Sequence, residues 1–259
     1  MMGVPATYLF LAEHPDFADA DLSALRQAVV GGAPMPEALL HRWQRRGVAI
    51  VQGYGLTEAA PNVLCLPAED AVRKVGRAGK PYPHVDVALA DPLTGARVDG
   101  PGRGELLVRG PNVFAGYWRN PAATADALRG GWLHTGDIAD RDPEGYYRIC
   151  DRLSDVFITG GENVYPAEVE AALHEHPAVA EAAVVGVPDE RWGEVGLAVV
   201  VPRPGTQPSR DELLEHLRGR LAGFKLPRVV CFADALPRSG VNKVLKGDLR
   251  ERYAAEAAR

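Results

Sequence analysis

The sequence predicts an α/β protein in three stretches: part of a parallel βαβ layer, a small antiparallel β subdomain, and a compact C-terminal α+β domain. Three observations carry that expectation. Apolar strands alternate with helix-patterned segments over residues 1–82, short strands between Pro, Asp and Gly turns fill 83–150, and strand–helix alternation resumes from about residue 152. With 259 residues, 46% of them hydrophobic, the chain has material for one large domain or two ordinary ones.

Taken in order, "LRQAVVGG" reads as a strand because its apolar run stops at paired glycines. "MPEALLHRWQRRG" has apolar residues at helical spacing and a closing glycine, and "VAIVQGYG" is the next strand. Strand, helix and strand in that order favour parallel pairing, with the working loops at the carboxyl ends. The chain opens inside what reads as a helix of this layer, and too few strands precede the hairpin region to complete a doubly wound sheet. A further segment is therefore expected in front. "HVDVALADPLTGARV", "GRGELLVRG" and "DIADRDPEGYYRIC" are short strands around turn residues, which fits antiparallel hairpins or a small barrel. "DVFITG", "AEVEAALHEHP", "VAEAAVVGVPD", "VGLAVVVPRPG", "RDELLEHLRGRLA" and "RVVCFADAL" then alternate strand and helix as a separate small domain. No linker composition separates it, so the boundary is expected to be tight.

Composition excludes several functions. A net charge of -5 without long runs of one sign gives no basic stripe for nucleic acid. Cys65, Cys150 and Cys231 are far apart, with no C-x-x-C and no flanking histidines, so neither a disulfide framework nor a zinc site is expected. The start "MMGVPATYLFLAEHPDF" lacks a basic n-region, and no apolar run approaches the roughly 18 residues of a membrane span. A cytoplasmic protein is expected. Arginine greatly outnumbers lysine, as GC-rich coding would give, which singles out Lys74, Lys80, Lys225, Lys243 and Lys246 for inspection.

Five stretches carry candidate chemistry: "GGAPMP" (31–36), "GYGLTE" (53–58), "WLHTGD" (132–137), "DRLSDVFITGGENVYPAEVE" (151–170) and "LPRSGVNKVLK" (236–246). Alone, Gly-Gly-Ala-Pro also reads as a turn, Thr-Glu as a solvated helix start, and Gly160-Gly161 as a β-turn. Together, in this order, they resemble the core motifs of the adenylate-forming superfamily: the AMP-forming acyl-CoA synthetases, peptide-synthetase adenylation domains and luciferases. The resemblance runs from residue 1 to about residue 250. It implies a partial adenylate-forming fold, with the C-terminal part of a large AMP-binding domain over 1–150 (a βαβ portion 1–82 and a β-barrel-like portion 83–150) and a mobile C-terminal lid domain over 152–259. The family's Ser/Thr/Gly-rich phosphate loop ending in Pro-Lys-Gly precedes these motifs and does not occur here. A C-terminal half is therefore expected.

The resemblance also implies roles and cofactors: ATP, Mg²⁺ and CoA. Glu58 would hold Mg²⁺, a hard cation suited to carboxylate and phosphate oxygens, and Thr57 would offer its hydroxyl to phosphate. Gly53 and Gly55 would let backbone approach the ligand, with the ring of Tyr54 against adenine. Gly31, Gly32, Ala33 and Pro34 would form the other wall of the adenine slot. Asp137 matches the acid that accepts both ribose hydroxyls, Arg152 the arginine of the ribose and phosphate region, and His134 is expected to pack. Lys243 would reach both the substrate carboxylate and the α-phosphate, and Asn242 stands where the family has glycine. Ser154 falls at the hinge position, usually Asp or Lys, and Gly161, with Gly160, at the pantetheine tunnel.

The residues after Glu58, "AAPNVLCL", supply no cation for a second carboxylate, which favours an apolar mono-acid, fatty or aromatic, as substrate. Two alternatives stay open. One is loading of a carrier-protein phosphopantetheine in place of CoA; the other is an inactive truncated fragment or one half of a split enzyme.

Overall fold

The computed structural model describes residues 1–239 and 244–257. The chain divides into two compact units, Met1–Ile149 and Cys150–Arg259. Among the described residues, no helix is long and apolar enough to cross a membrane.

The first unit contains two five-stranded sheets. It opens on a two-residue strand, β1 (Met2–Gly3), followed by helix α1 (Pro5–Glu13). This corrects the expectation of a chain starting inside a helix: a two-residue strand before Val4-Pro5 is too short to show a period, and Pro5 starts the helix at its first turn. Next come β2 (Ala28–Val30), α2 (Glu37–Gln44) and β3 (Ile50–Gly55), with β1, β2 and β3 parallel. The expected βαβ layer is present. Leu39, Leu40 and Trp43 of α2 pack against Tyr8 and Phe17, whose rings meet Trp43 edge-on at 5.3 and 4.8 Å. Strands β4 (Asn62–Cys65) and β5 (Lys80–Pro81) complete this sheet antiparallel.

The second sheet is built from β6 (Asp86–Ala90), β7 (Arg97–Val98), β8 (Gly102–Arg109), β9 (Leu133–Arg141) and β10 (Tyr147–Arg152), and helix α3 (Pro121–Ala127) precedes β9. The strand order β10-β9-β8-β6-β7 is that of an open sheet. The hairpins are as expected, but the barrel-like portion is not. Strand β7, only two residues long, offers too short a ladder for the other edge to close on. Leu89, Leu106, Val108 and Leu133 of this sheet share one core with Val63 and Leu64 of the first.

The second unit comprises β11 (Phe157–Thr159), β12 (Glu162–Val164), α4 (Pro166–His174), β13 (Val179–Asp189), β14 (Gly193–Pro202), α5 (Arg210–Arg218), β15 (Val229–Phe232) and α6 (Lys246–Ala257). Its sheet runs β12-β11-β14-β13, with β15 parallel to β14. Ala182, Val184, Ala198 and Val200 face α4 and α5, while Ala183, Val185, Leu197 and Val199 face Leu249 and Tyr253 of α6. Both faces are covered, so these strands read as continuous apolar runs instead of alternating ones. Ser209 and Glu212 form a capping box that starts α5.

Candidate functional site

Three stretches of the first unit converge around β3. Parallel neighbours β2 and β3 end side by side, so the loop from Gly31 and the Gly53–Gly55 segment leave the same edge, the position where open α/β sheets receive ligands. A Cβ on Gly31 would lie 3.8 Å from the Gly53 carbonyl oxygen. Gly32, at φ +84°, Ala33 and Pro34 are exposed. At Gly55 a Cβ would fall 1.7 Å from the Pro61 carbonyl oxygen, so glycine is required there by the chain's own return into β4. The turn closes through Ala60, held left-handed at φ 49°.

Beyond this turn Thr57 is exposed and opens a short 3-10 segment, Thr57–Ala59. The Glu58 carbonyl accepts the Phe114 N–H (2.8 Å), and its carboxylate Oε1 accepts the Tyr117 hydroxyl (2.9 Å). That hydrogen bond to a carboxylate, with some burial, raises the Tyr117 pKa. Phe114 and Tyr117 meet edge-on at 4.9 Å, so one aromatic loop steadies the acid from both its backbone and its side chain.

The "HTGD" stretch lies within β9 and interrupts it. Glu105 of β8 pairs with Ile138 and Leu107 with His134, so Leu106 alone faces Thr135, Gly136 and Asp137. The excess residues bulge. Gly136 takes φ +67°, the Thr135 hydroxyl donates to the Leu106 carbonyl (2.7 Å), and the Asp137 N–H donates to Thr135 Oγ1 (3.1 Å). Asp137 itself is buried, at 4% exposure, and its Oδ2 accepts the Tyr54 hydroxyl at 2.5 Å. The structure thus joins Tyr54 and Asp137, 83 residues apart, as a ring with a carboxylate beside it.

Sequence reading gave His134 a packing role and passed over Glu105. Both belong to one polar cluster: Glu105 Oε2 is 2.8 Å from His134 Nδ1, and its Oε1 accepts the Gly136 N–H at 3.2 Å. The one signal available was an acid in the middle of the apolar strand "GELLV".

In the second unit Arg152 is exposed at the end of β10, and Ser154 is exposed in the turn that follows, where the Asp155 N–H donates to the Arg152 carbonyl (3.0 Å). Gly160 and Gly161, at φ +59° and +89°, form the two-residue turn between β11 and β12. A Cβ on Gly160 would meet the Trp192 ring at 2.7 Å, whereas Gly161 faces open space. Lys246, quoted in a motif but given no role from sequence, is largely enclosed, with Nζ 2.9 Å from Glu170 and 3.9 Å from Asp155. Lys243 and Asn242 lie outside the described residues.

Among the described residues no group of three or more His, Cys, Asp or Glu side chains gathers to hold a metal. A lone Glu58 still suits a magnesium ion, which keeps water and substrate phosphate as most of its ligands.

The model of the AMP-binding enzyme family matches residues 1–118, and that of the AMP-binding enzyme C-terminal domain matches residues 168–243. A feruloyl-CoA synthase of Amycolatopsis sp is 53% identical over 253 residues, which is 98% of this chain and 51% of the relative. A long-chain-fatty-acid–CoA ligase of Mycobacterium tuberculosis is 44% identical over 252 residues, 97% of this chain and 50% of the relative. The crystal structure of ATP-bound MatB from Rhodopseudomonas palustris superposes with a TM-score of 0.90 at 38% identity, over 98% of this chain and 50% of that one. The chain spans about half the length of the curated relatives it matches. With both family models matched in order, and adenylate-forming enzymes as structural neighbours over nearly its whole length, the chain belongs to the AMP-binding enzyme family.

Proposed function

We propose that the whole protein activates an apolar carboxylic acid, aromatic or fatty, with ATP and passes the acyl group to CoA. Relatives named for feruloyl-CoA and long-chain-fatty-acid–CoA formation support that substrate class, as does the absence of Lys, Arg or His in "AAPNVLCL" after Glu58. In the first half-reaction the acid's carboxylate oxygen attacks the α-phosphorus and pyrophosphate leaves. In the second, the CoA thiol attacks the acyl carbon and AMP leaves.

In this reading Tyr54 and the 31–34 loop hold adenine, and Asp137 accepts the ribose hydroxyls. Thr57 donates to phosphate, and Arg152 serves the ribose and phosphate region. Glu58 holds Mg²⁺, which when bound supplies positive charge against the phosphate oxygens. Lys243 draws the two anionic reactants into line, Ser154 serves as the pivot of the lid, and Gly160 and Gly161 line the pantetheine path. The observation that carries the proposal is the Tyr54–Asp137 pair. A buried carboxylate on a bulge, beside an aromatic ring at the end of a parallel strand, suits a nucleoside whose base stacks while its sugar hydrogen-bonds.

Calorimetric titration of AMP into the 259-residue chain tests it. Asp137→Ala is expected to abolish measurable binding, and equal affinity in the variant and the parent chain would sink the nucleotide assignment. In the whole protein, offering free CoA or a holo carrier protein to the acyl-adenylate identifies the thiol acceptor.

A further inference from the structure

We infer that Glu105 is a positioning residue that holds the β9 bulge in the shape that presents Asp137. The inference rests on the reading of Asp137 as the ribose acceptor.

Glu105 is 5% exposed, in a strand whose neighbours Leu106, Leu107 and Val108 are all core residues. A carboxylate in such surroundings is expensive unless its oxygens are engaged. Both are, and both serve one short loop about 30 residues downstream. Oε2 meets His134 Nδ1 at 2.8 Å and Oε1 accepts the Gly136 N–H at 3.2 Å, with the Arg129 guanidinium 3.8 Å from Oε2. These contacts grip the bulge on either side of Thr135, whose hydroxyl is in turn fixed to the Leu106 carbonyl.

The bulge needs this grip because its register gives Thr135, Gly136 and Asp137 only Leu106 as a strand partner. Their backbone groups lack a regular ladder and must find acceptors elsewhere. Gly136 sits left-handed at φ +67°, a conformation that aims the following residue away from the strand's alternation. With the Gly136 amide pinned by Glu105, Asp137 is delivered to the Tyr54 hydroxyl. An apolar residue at 105 would fill the same space and leave the bulge without its acceptor. A glutamine would keep an oxygen for the Gly136 amide.

The experiment measures AMP and 2′,3′-dideoxy-AMP affinity, and hydrogen exchange at the Gly136 amide, in the 259-residue chain and its Glu105→Leu, Glu105→Gln and Asp137→Ala variants. Glu105→Leu is expected to weaken AMP about tenfold while leaving 2′,3′-dideoxy-AMP unchanged, and to speed exchange at Gly136; Glu105→Gln restores most of both. A folded Glu105→Leu chain that binds AMP like the parent, or loses both nucleotides equally, overturns the inference. If Glu105→Leu does not fold, Glu105→Ala decides: it too lacks the acceptor and speeds Gly136 exchange, and unchanged exchange overturns the inference. Should the parent chain not bind AMP, or Asp137→Ala bind it undiminished, the nucleotide reading falls. The Gly136 exchange rates then decide on their own whether Glu105 holds the bulge.

Discussion

Lys246 is a largely enclosed cation set among three carboxylates. Burial works against its charge, but the carboxylates of Glu170, Asp151 and Asp155 outweigh that and raise its pKa. Glu170 also accepts the Val184 N–H at 2.8 Å, and Asp151 accepts the Ala167 N–H at 2.7 Å, so the ammonium sits among acids already tied to β13 and α4. Removing the cation leaves three carboxylates in a poorly solvated pocket. Lys246→Met is expected to destabilise the second unit by about 3 kcal/mol or more, read as a lower urea midpoint for its transition. A loss of under about 1 kcal/mol would mean that the pair behaves as a surface ion pair. The scarcity of lysine drew attention to this residue, but its three partners lie in β10, the turn after it and α4, and no spacing reveals them.

At the scale of elements, the β3–β4 connection turns on glycines that look alike in sequence and differ in space. A Cβ at Gly55 would overlap the Pro61 carbonyl at 1.7 Å, whereas one at Gly53 would rest 3.5 Å from the Leu64 carbonyl, an ordinary contact. Gly55→Ala is therefore expected to force the turn open and lower the melting temperature of the first unit by several degrees. Gly53→Ala should change it little. Differential scanning calorimetry of the two variants separates them, and equal melting temperatures would contradict the contact geometry. The strands and helices on either side were legible because their periods are local. The closure of the second sheet was not: hairpins announce themselves by turn residues, but whether the outer strands meet depends on the length and twist of every strand between them.

For the molecule as a whole, one pH response comes from the second of its two units. In the second, His176 Nδ1 accepts the Ala178 N–H at 3.2 Å, and its ring meets His216 edge-on at 5.0 Å. Burial, followed by repulsion from the neighbouring His216, lowers the His176 pKa below its ordinary 6.5. A histidine lowered on folding binds fewer protons in the folded state, so its contribution is present above 6.5 and is lost as pH falls through 6.5 towards the folded value. The second unit's melting temperature is expected to drop as pH falls below 6.5, and His176→Asn to flatten that slope. An unchanged slope would assign the pH dependence to other groups.

Motif order was enough to place the chain in its family, and apolar periodicity to place the strands and helices over 28–55 and 157–232, because both are properties of neighbours along the chain. It also picked out Tyr54 and Asp137, but as separate residues with separate roles. The bond from the Tyr54 hydroxyl to Asp137, the support of Glu58 by Tyr117, and the hold of Glu105 on the bulge between His134 and Asp137 exist only in the folded chain. These pairings join residues 29 to 83 positions apart through strand register and packing. Polar groups in a core are satisfied by whatever the fold brings within hydrogen-bonding distance, and that distance is set in space, not along the chain.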